Sequence, residues 1–267
     1  MLGQRIITAV GLVAVLALVL VVLPSDLAVV ALGILVLLGA WEWARLAGFR
    51  SMAGRAFYVT ACAAAMAGLW LVARSEADFD RAMSITMLGW IPLFAWIVLA
   101  PGFRANGLAA IAGIWALAPT WFALARLYLQ DGNGRELVVF VVLLAWAADI
   151  GAYFAGKRFG RLRLAPVVSP NKTWEGVLGG LVAGFIVALA GQAWFDLPAT
   201  AFLSLCVAAV LVSVVGDLLE SMFKRQQGLK DSGALLPGHG GMLDRIDSLT
   251  SSVPLLALGF GWLGMVA

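Results

Sequence analysis

The chain has 267 residues, 63% of them hydrophobic and 12% charged, with a formal net charge of +3. Soluble domains carry about 25% charged and roughly 45–50% apolar residues, so an ordinary soluble enzyme is excluded and a membrane-embedded chain is indicated. The pI of about 9.1 fits basic loops facing an anionic leaflet, and no nucleic-acid partner is expected.

Apolar stretches of about 20 residues recur, enough to cross a hydrocarbon core of ~30 Å as helices. They are continuous rather than alternating, which points to helices and not to barrel strands. The fold class is therefore all-α and polytopic. About nine transmembrane helices are predicted, over roughly 5–23, 27–46, 57–73, 82–100, 107–128, 137–156, 174–195, 199–224 and 245–265. The first is not read as a cleaved leader, because Pro24-Ser25-Asp26 lacks a small-x-small cleavage pattern and another span follows at once. No repeat or linker divides the chain. It reads as one continuous membrane domain, with helices 1–5 in residues 1–130 and a catalytic region over 131–267. That region holds helices 6–9 and the loops 157–173 and 225–244. Cys62 and Cys206 lie in apolar runs without metal-type spacing, and are assigned to packing.

Lysine and arginine set the orientation. With a cytoplasmic N-terminus, nine spans leave only Arg74, Arg81, Arg126 and Arg135 on the far side. The other fourteen of the 18 basic residues face the cytoplasm. Loops 157–173 and 225–244 then share the cytoplasmic face. Lys157, Arg158, Arg161 and Arg163 are read as orientation charges.

Polar chemistry gathers in one stretch, Ser221 to Asp247. It holds Lys224, Arg225, Lys230, Arg245, Asp231, Asp244, Asp247, several glycines and His239, the only histidine of the chain. Asp217, Glu220, Ser221 and Lys224 are spaced i, i+3, i+4, i+7, which puts them on one helical face. An acid at membrane depth is costly unless paired, hydrated or bound to a cation. Asp244 and Asp247 open the last predicted helix, where one acid would serve the helix dipole and two exceed that need. Asp149 has no basic neighbour in sequence before Lys157, and its role is left open. Glu42 is read as pairing with Arg45, three residues on.

Carboxylates at helix ends, with no nearby cysteine, suit Mg²⁺ or Mn²⁺ rather than Zn²⁺ or copper. Asp217 and Asp244 are the expected ligands, with room for a second cation. Lys224, Arg225, Lys230, Arg245 and Lys172 supply fixed positive charge at the same level. Gly240-Gly241 can present backbone N–H groups to anionic oxygens. In the loop VSPNKTWEG, Pro170-Asn171 is expected to turn and Thr173 to cap the seventh helix. These features suggest Mg²⁺-dependent handling of a phosphorylated, lipid-borne substrate. A transporter of phosphorylated solutes would instead place acids near mid-membrane, in paired broken helices.

Three groups of residues are more specific. They are Ser221-x-Phe223-Lys224-Arg225; Lys230-Asp231-x-Gly233; and Pro237-x-His239-Gly240-Gly241 with Asp244-Arg245-x-Asp247. Together they resemble the signature of the phosphatidate cytidylyltransferases, or CDP-diglyceride synthetases. Gly216-Asp217-Leu218-x-Glu220, the Val168–Gly176 loop and Asp149-x-Gly151-Ala152-Tyr153 resemble that family too. The likeness is mainly over residues 145–252; earlier residues resemble the family only in hydropathy. The resemblance implies CMP transfer from CTP to phosphatidate with Mg²⁺, yielding CDP-diacylglycerol and pyrophosphate. It implies an integral protein of the bacterial inner (plasma) membrane, with its site facing the cytoplasm and a homodimer as one compatible state. Asp217, Asp244, Lys224 and Arg245 are then the expected catalytic residues. Ser169, Asn171, Lys172, Ser221, Arg225, Lys230, Asp231, His239, Gly240, Gly241 and Asp247 are expected to bind substrate. For His239 the alternative is bracing of its turn. A cytidylyltransferase for another lipid phosphate would carry the same motifs.

Overall fold

A computed structural model describes residues 2–236, 238 and 240–265, with side chains from Val10 onward. Pro237 and His239 of the signature lie outside the described residues. Helix α1 (Leu2–Ala17) runs into a π-helical turn at Leu18–Val22. Then come α2 (Ser25–Leu46), α3 (Met52–Val72), α4 (Glu76–Leu99), α5 (Asn106–Tyr128) and α6 (Gly134–Phe159). A hairpin of β1 (Arg163–Ala165) and β2 (Ser169–Thr173) precedes α7 (Trp174–Phe195) and α8 (Ala199–Gln226). The chain ends in α9 (Leu243–Ile246) and α10 (Leu249–Trp262).

Seven of these helices, α2 to α8, are long and apolar enough to cross a membrane. The protein is therefore a polytopic α-helical membrane protein. Helix α1 and the π-helical turn together run over residues 2–22, the stretch of the first predicted span. The predicted 245–265 helix is divided near Asp247, leaving α10 with 14 residues. At 1.5 Å per residue α10 spans about 21 Å, less than a bilayer core of ~30 Å. It is buried along nearly its whole length and packs against α4, α5 and α8, so it serves as a central strut.

Several helix starts precede their predicted positions because hydroxyls cap them. Ser51 Oγ accepts from Gly54 N at 3.1 Å and Ser75 Oγ from Asp78 N at 3.2 Å, satisfying N–H groups of the first turn. Thr173 caps α7 as expected, accepting from Gly176 N at 3.1 Å. The turn in the preceding loop is not at Pro170-Asn171. Both residues lie in β2, which pairs antiparallel with β1 through Arg163↔Thr173 and Ala165↔Ser169, and the chain reverses at 166–168. A two-stranded hairpin has only edge strands, where a proline is tolerated. Both cysteines are free and buried, as packing residues should be.

Lipid-facing stripes are plain on α4 (Ile85, Leu88, Ile91) and α7 (Leu178, Val182, Ile186), each residue exposed and spaced by three or four. Helices α6 and α7 form the most extensive pair in the molecule. Small residues allow it: a Cβ at Gly179 would overlap that of Ala155, and one at Gly180 would lie 2.9 Å from the Ala148 carbonyl oxygen. Gly179→Val should force the pair apart and lower stability by about 1–3 kcal/mol. The check is the midpoint of thermal unfolding in detergent; an unchanged midpoint would contradict this packing.

Candidate active site

The C-terminal end of α6, the hairpin, the N-terminal end of α7 and the C-terminal part of α8 surround a cavity of about 670 Å³. Its apolar wall includes Ala148, Ala152, Val177, Val210 and Val214. At its polar end stand Asp149, Asp217, Asp244 and Asp247, faced by Lys172 and Arg245. The two loops that the charge count placed on one membrane face therefore meet at one site. Of the residues predicted from sequence, Asn171, Lys172, Asp217, Asp244, Arg245 and Asp247 line the cavity.

Gly216 explains why Asp217 lies beside Asp247. A Cβ at Gly216 would sit 2.7 Å from Ser251 Oγ and 2.9 Å from Thr250 Oγ1. Only glycine lets α8 approach the start of α10 so closely. One carboxylate oxygen each from Asp217, Glu220 and Asp247 then lies within 4.8 Å of the others. Asp217 is also ion-paired with Lys172 of the hairpin and accepts from Ser221 Oγ at 3.3 Å. Burial, followed by the negative fields of Asp217, Glu220 and Asp149, pushes the Asp247 carboxyl well above its ordinary value. Glu220 is fully buried. Its Oε2 accepts from Lys224, while Oε1 accepts no hydrogen bond among the described residues.

An orphaned buried carboxylate oxygen beside two further carboxylates fits a hard cation. The sequence expectation named Asp217 and Asp244 as ligands; Asp217 is in this group and Asp244 stands beside it in the cavity lining. Asp244 has other partners. Its Oδ1 accepts from Lys224 Nζ at 2.7 Å. Its Oδ2 accepts from Gly241 N at 2.7 Å and from Ser232 Oγ at 2.9 Å. Burial alone would raise its carboxyl, but Lys224 and these donors outweigh it and hold the group below its ordinary value.

The other residues predicted from sequence are placed as follows. Lys224 does not line the cavity. Its ammonium bridges Glu220 and Asp244, at 2.7 Å from each, so it compensates the charge of the protein's own acids. Gly241 directs its N–H to Asp244. Gly240 has φ of +80°, which favours glycine, and its carbonyl accepts from Leu236 N at 3.0 Å; its contribution is to the shape of the turn. Arg225 donates to the Val168 carbonyl at 3.4 Å, tying α8 to the hairpin. Ser169, Lys230 and Asp231 do not line the cavity, and the last two are exposed.

Other polar residues enter that sequence left aside. Asp149 accepts from Ser248 Oγ at 3.0 Å and faces the cavity. Lys157 and Arg163, read as orientation charges, line it as well. Glu42 forms no ion pair with Arg45 among the described residues. It instead accepts from Leu243 N at 2.8 Å and Ser232 Oγ at 3.1 Å. The signal for Asp149 was its lack of a sequence-local partner; Ser232 carried none.

Fold and site together define a polytopic membrane protein with an acidic centre and a cationic rim at one end of its helices. The chain belongs to the cytidylyltransferase family, whose model matches residues 3–261. It is 43% identical over 265 residues to the phosphatidate cytidylyltransferase of Pseudomonas aeruginosa, covering 96% of each chain. It is 38% identical over 286 residues to that of Haemophilus influenzae, covering 96% of this chain and 98% of the relative. The likeness thus runs through the N-terminal helices as well as the C-terminal motifs.

Proposed function

We propose that this protein transfers CMP from CTP to phosphatidate, giving CDP-diacylglycerol and pyrophosphate. The observation that carries this reading is the cavity itself. Acids suited to a cation and the basic Lys172 and Arg245 meet at its polar end, beside an apolar wall between α6, α7 and α8. A lipid phosphate needs that combination of a charged end and an apolar wall. The near full-length relatives bearing the phosphatidate cytidylyltransferase name support the same assignment.

The chemistry is a substitution at phosphorus. A phosphatidate phosphate oxygen bonds to the α-phosphorus of CTP. The bond to the bridging oxygen breaks, and pyrophosphate leaves with that electron pair. The nucleophile is already an anion, so no side chain has to remove a proton from it. The protein's task is positioning and charge compensation. Lys172, Arg245, Lys157 and Arg163 offer cations to phosphate oxygens around the cavity. Lys224 keeps Glu220 and Asp244 in place behind it. Asp217, Glu220 and Asp247 would hold Mg²⁺; bound there, it would offset charge on the transferring phosphoryl group and on the pyrophosphate.

The excess of Lys and Arg on the side that carries the 157–173 and 225–244 loops supports a site facing the cytoplasm, and the bacterial relatives support the inner membrane. The substrate is tested with purified protein in mixed micelles, labelled CTP, Mg²⁺ and a panel of lipid phosphates. Phosphatidate should give a lipid-soluble cytidine product. Product only with a different lipid phosphate would reassign the substrate, and no product with any would overturn the reaction.

A further inference from the structure

Glu42 belongs to α2, in the half of the chain farthest from the signature motifs, yet it is buried against the turn that joins α8 to α9. The hydrogen bonds from Leu243 and Ser232 both fall on one carboxylate oxygen, and the Met242 backbone N–H also acts on the carboxylate. Oε2 accepts from Leu243 N at 2.8 Å, meeting a free N–H at the start of α9, and from Ser232 Oγ at 3.1 Å. Oε1 accepts no hydrogen bond among the described residues. The turn is shaped around this side chain. A Cβ at Gly233 would collide with the Glu42 carboxylate, and the three atoms nearest to it all belong to Glu42. A Cβ at Gly241 would collide with Glu42 Oε2 and Ser232 Oγ. From Ser232 the contacts continue inward. Its backbone N–H donates to Asp244 Oδ2 at 3.2 Å, and its Oγ lies 2.9 Å from the same oxygen, so the single hydroxyl proton is shared between Asp244 and Glu42 and serves one of them at a time. Asp244 holds Lys224, and Lys224 holds Glu220.

We infer that Glu42 is a positioning residue. It clasps the 232–243 turn from α2, and through Ser232 and Asp244 it sets where the Lys224 ammonium sits behind the cavity. It touches none of the reacting groups. Its work is done as a hydrogen-bond acceptor, and an amide in its place keeps the contacts with Leu243 and Ser232 through its oxygen. The kinetic part of the test rests on the cytidylyltransferase assignment; the steric part does not.

Glu42→Ala should lower kcat on the order of 10- to 100-fold, the range expected when a buried hydrogen-bond partner is removed, with KM for CTP little changed. Glu42→Gln should recover activity to within a few-fold of the parent. Should Glu42→Ala fail to give monodisperse protein in detergent, Ser232→Ala is the second variant, with a kcat loss of the same kind expected. The steric arm is a double-mutant cycle read as thermal midpoints, without any assay of turnover. Gly233→Ala should depress the midpoint strongly beside Glu42 and only slightly in a Glu42→Ala background, where the methyl group takes the vacated space. Glu42→Gln as impaired as Glu42→Ala would show that the charge is what matters and overturn the inference. So would equal effects of Gly233→Ala in both backgrounds, or parental kcat in Glu42→Ala and Ser232→Ala. A cycle with the expected coupling in a protein lacking turnover would uphold the clasp and count against the assigned reaction alone.

Discussion

Asp217→Asn should reduce turnover by roughly 10²–10³-fold, the scale seen when one preorganised electrostatic contact is removed from a reacting centre, while the protein stays folded. The side chain is about a quarter exposed, at 26%, and lines the cavity. Asparagine matches its volume, so packing against Gly216 and the start of α10 should survive. What disappears is the charge shared between Lys172 and the group formed with Glu220 and Asp247. Without it the proposed cation site would lose an anionic ligand, and the Lys172 ammonium loses the partner that fixes it at the rim. Turnover should be measured beside the thermal midpoint in the same detergent. Near-parental turnover would remove Asp217 from the site. A collapse of the midpoint would recast it as a structural ion pair.

Lys224→Met should damage stability more than any other single change in the cavity's support. The ammonium lies 2.7 Å from both Glu220 and Asp244, and Glu220 is wholly buried. Removing one partner of a buried ion pair costs about 3–5 kcal/mol, because the remaining charge has neither water nor a counterion. Here two carboxylates would be stranded. The expected result is a large fall in thermal midpoint with loss of turnover. Adding Glu220→Gln and Asp244→Asn should restore much of the midpoint without restoring activity. A Lys224→Met protein as stable as the parent would mean that Lys224 is not the counterion of these acids. Turnover restored in the triple variant would mean that the acids serve folding only.

Much of this site is legible in the chain because its spacing is local. Asp217, Glu220, Ser221 and Lys224 share a helical face by arithmetic, and the structure keeps them on α8 around one acidic centre. The charge asymmetry between loops brought Lys172 to the correct side, where it meets Asp217. The division of labour was not legible. Lys224 and Arg245 look alike as basic residues near acids, yet only Arg245 lines the cavity. The glycine-rich turn suggested backbone donors for phosphate, but those around Asp244 and Glu42 are directed to the protein's own carboxylates. Glu42 was hidden for a physical reason. Its contact with Leu243 spans 201 positions, while Arg45 offered a partner three residues away. Local spacing favours the near partner; tertiary packing selected the far one. The break between α9 and α10 was equally hidden, since LDRIDSLTSS reads as one amphipathic helix start and closes instead into two segments around Asp247.

The most direct measurement follows the phosphorus atoms of CTP. Purified protein is supplied with phosphatidate, Mg²⁺ and CTP labelled either at the α- or at the γ-phosphorus. CMP transfer requires the α-label to enter the lipid phase while the γ-label appears as pyrophosphate, in equal amounts. Label from the γ-position in the lipid, or release of γ-label as orthophosphate without any lipid-bound α-label, would contradict the assigned reaction.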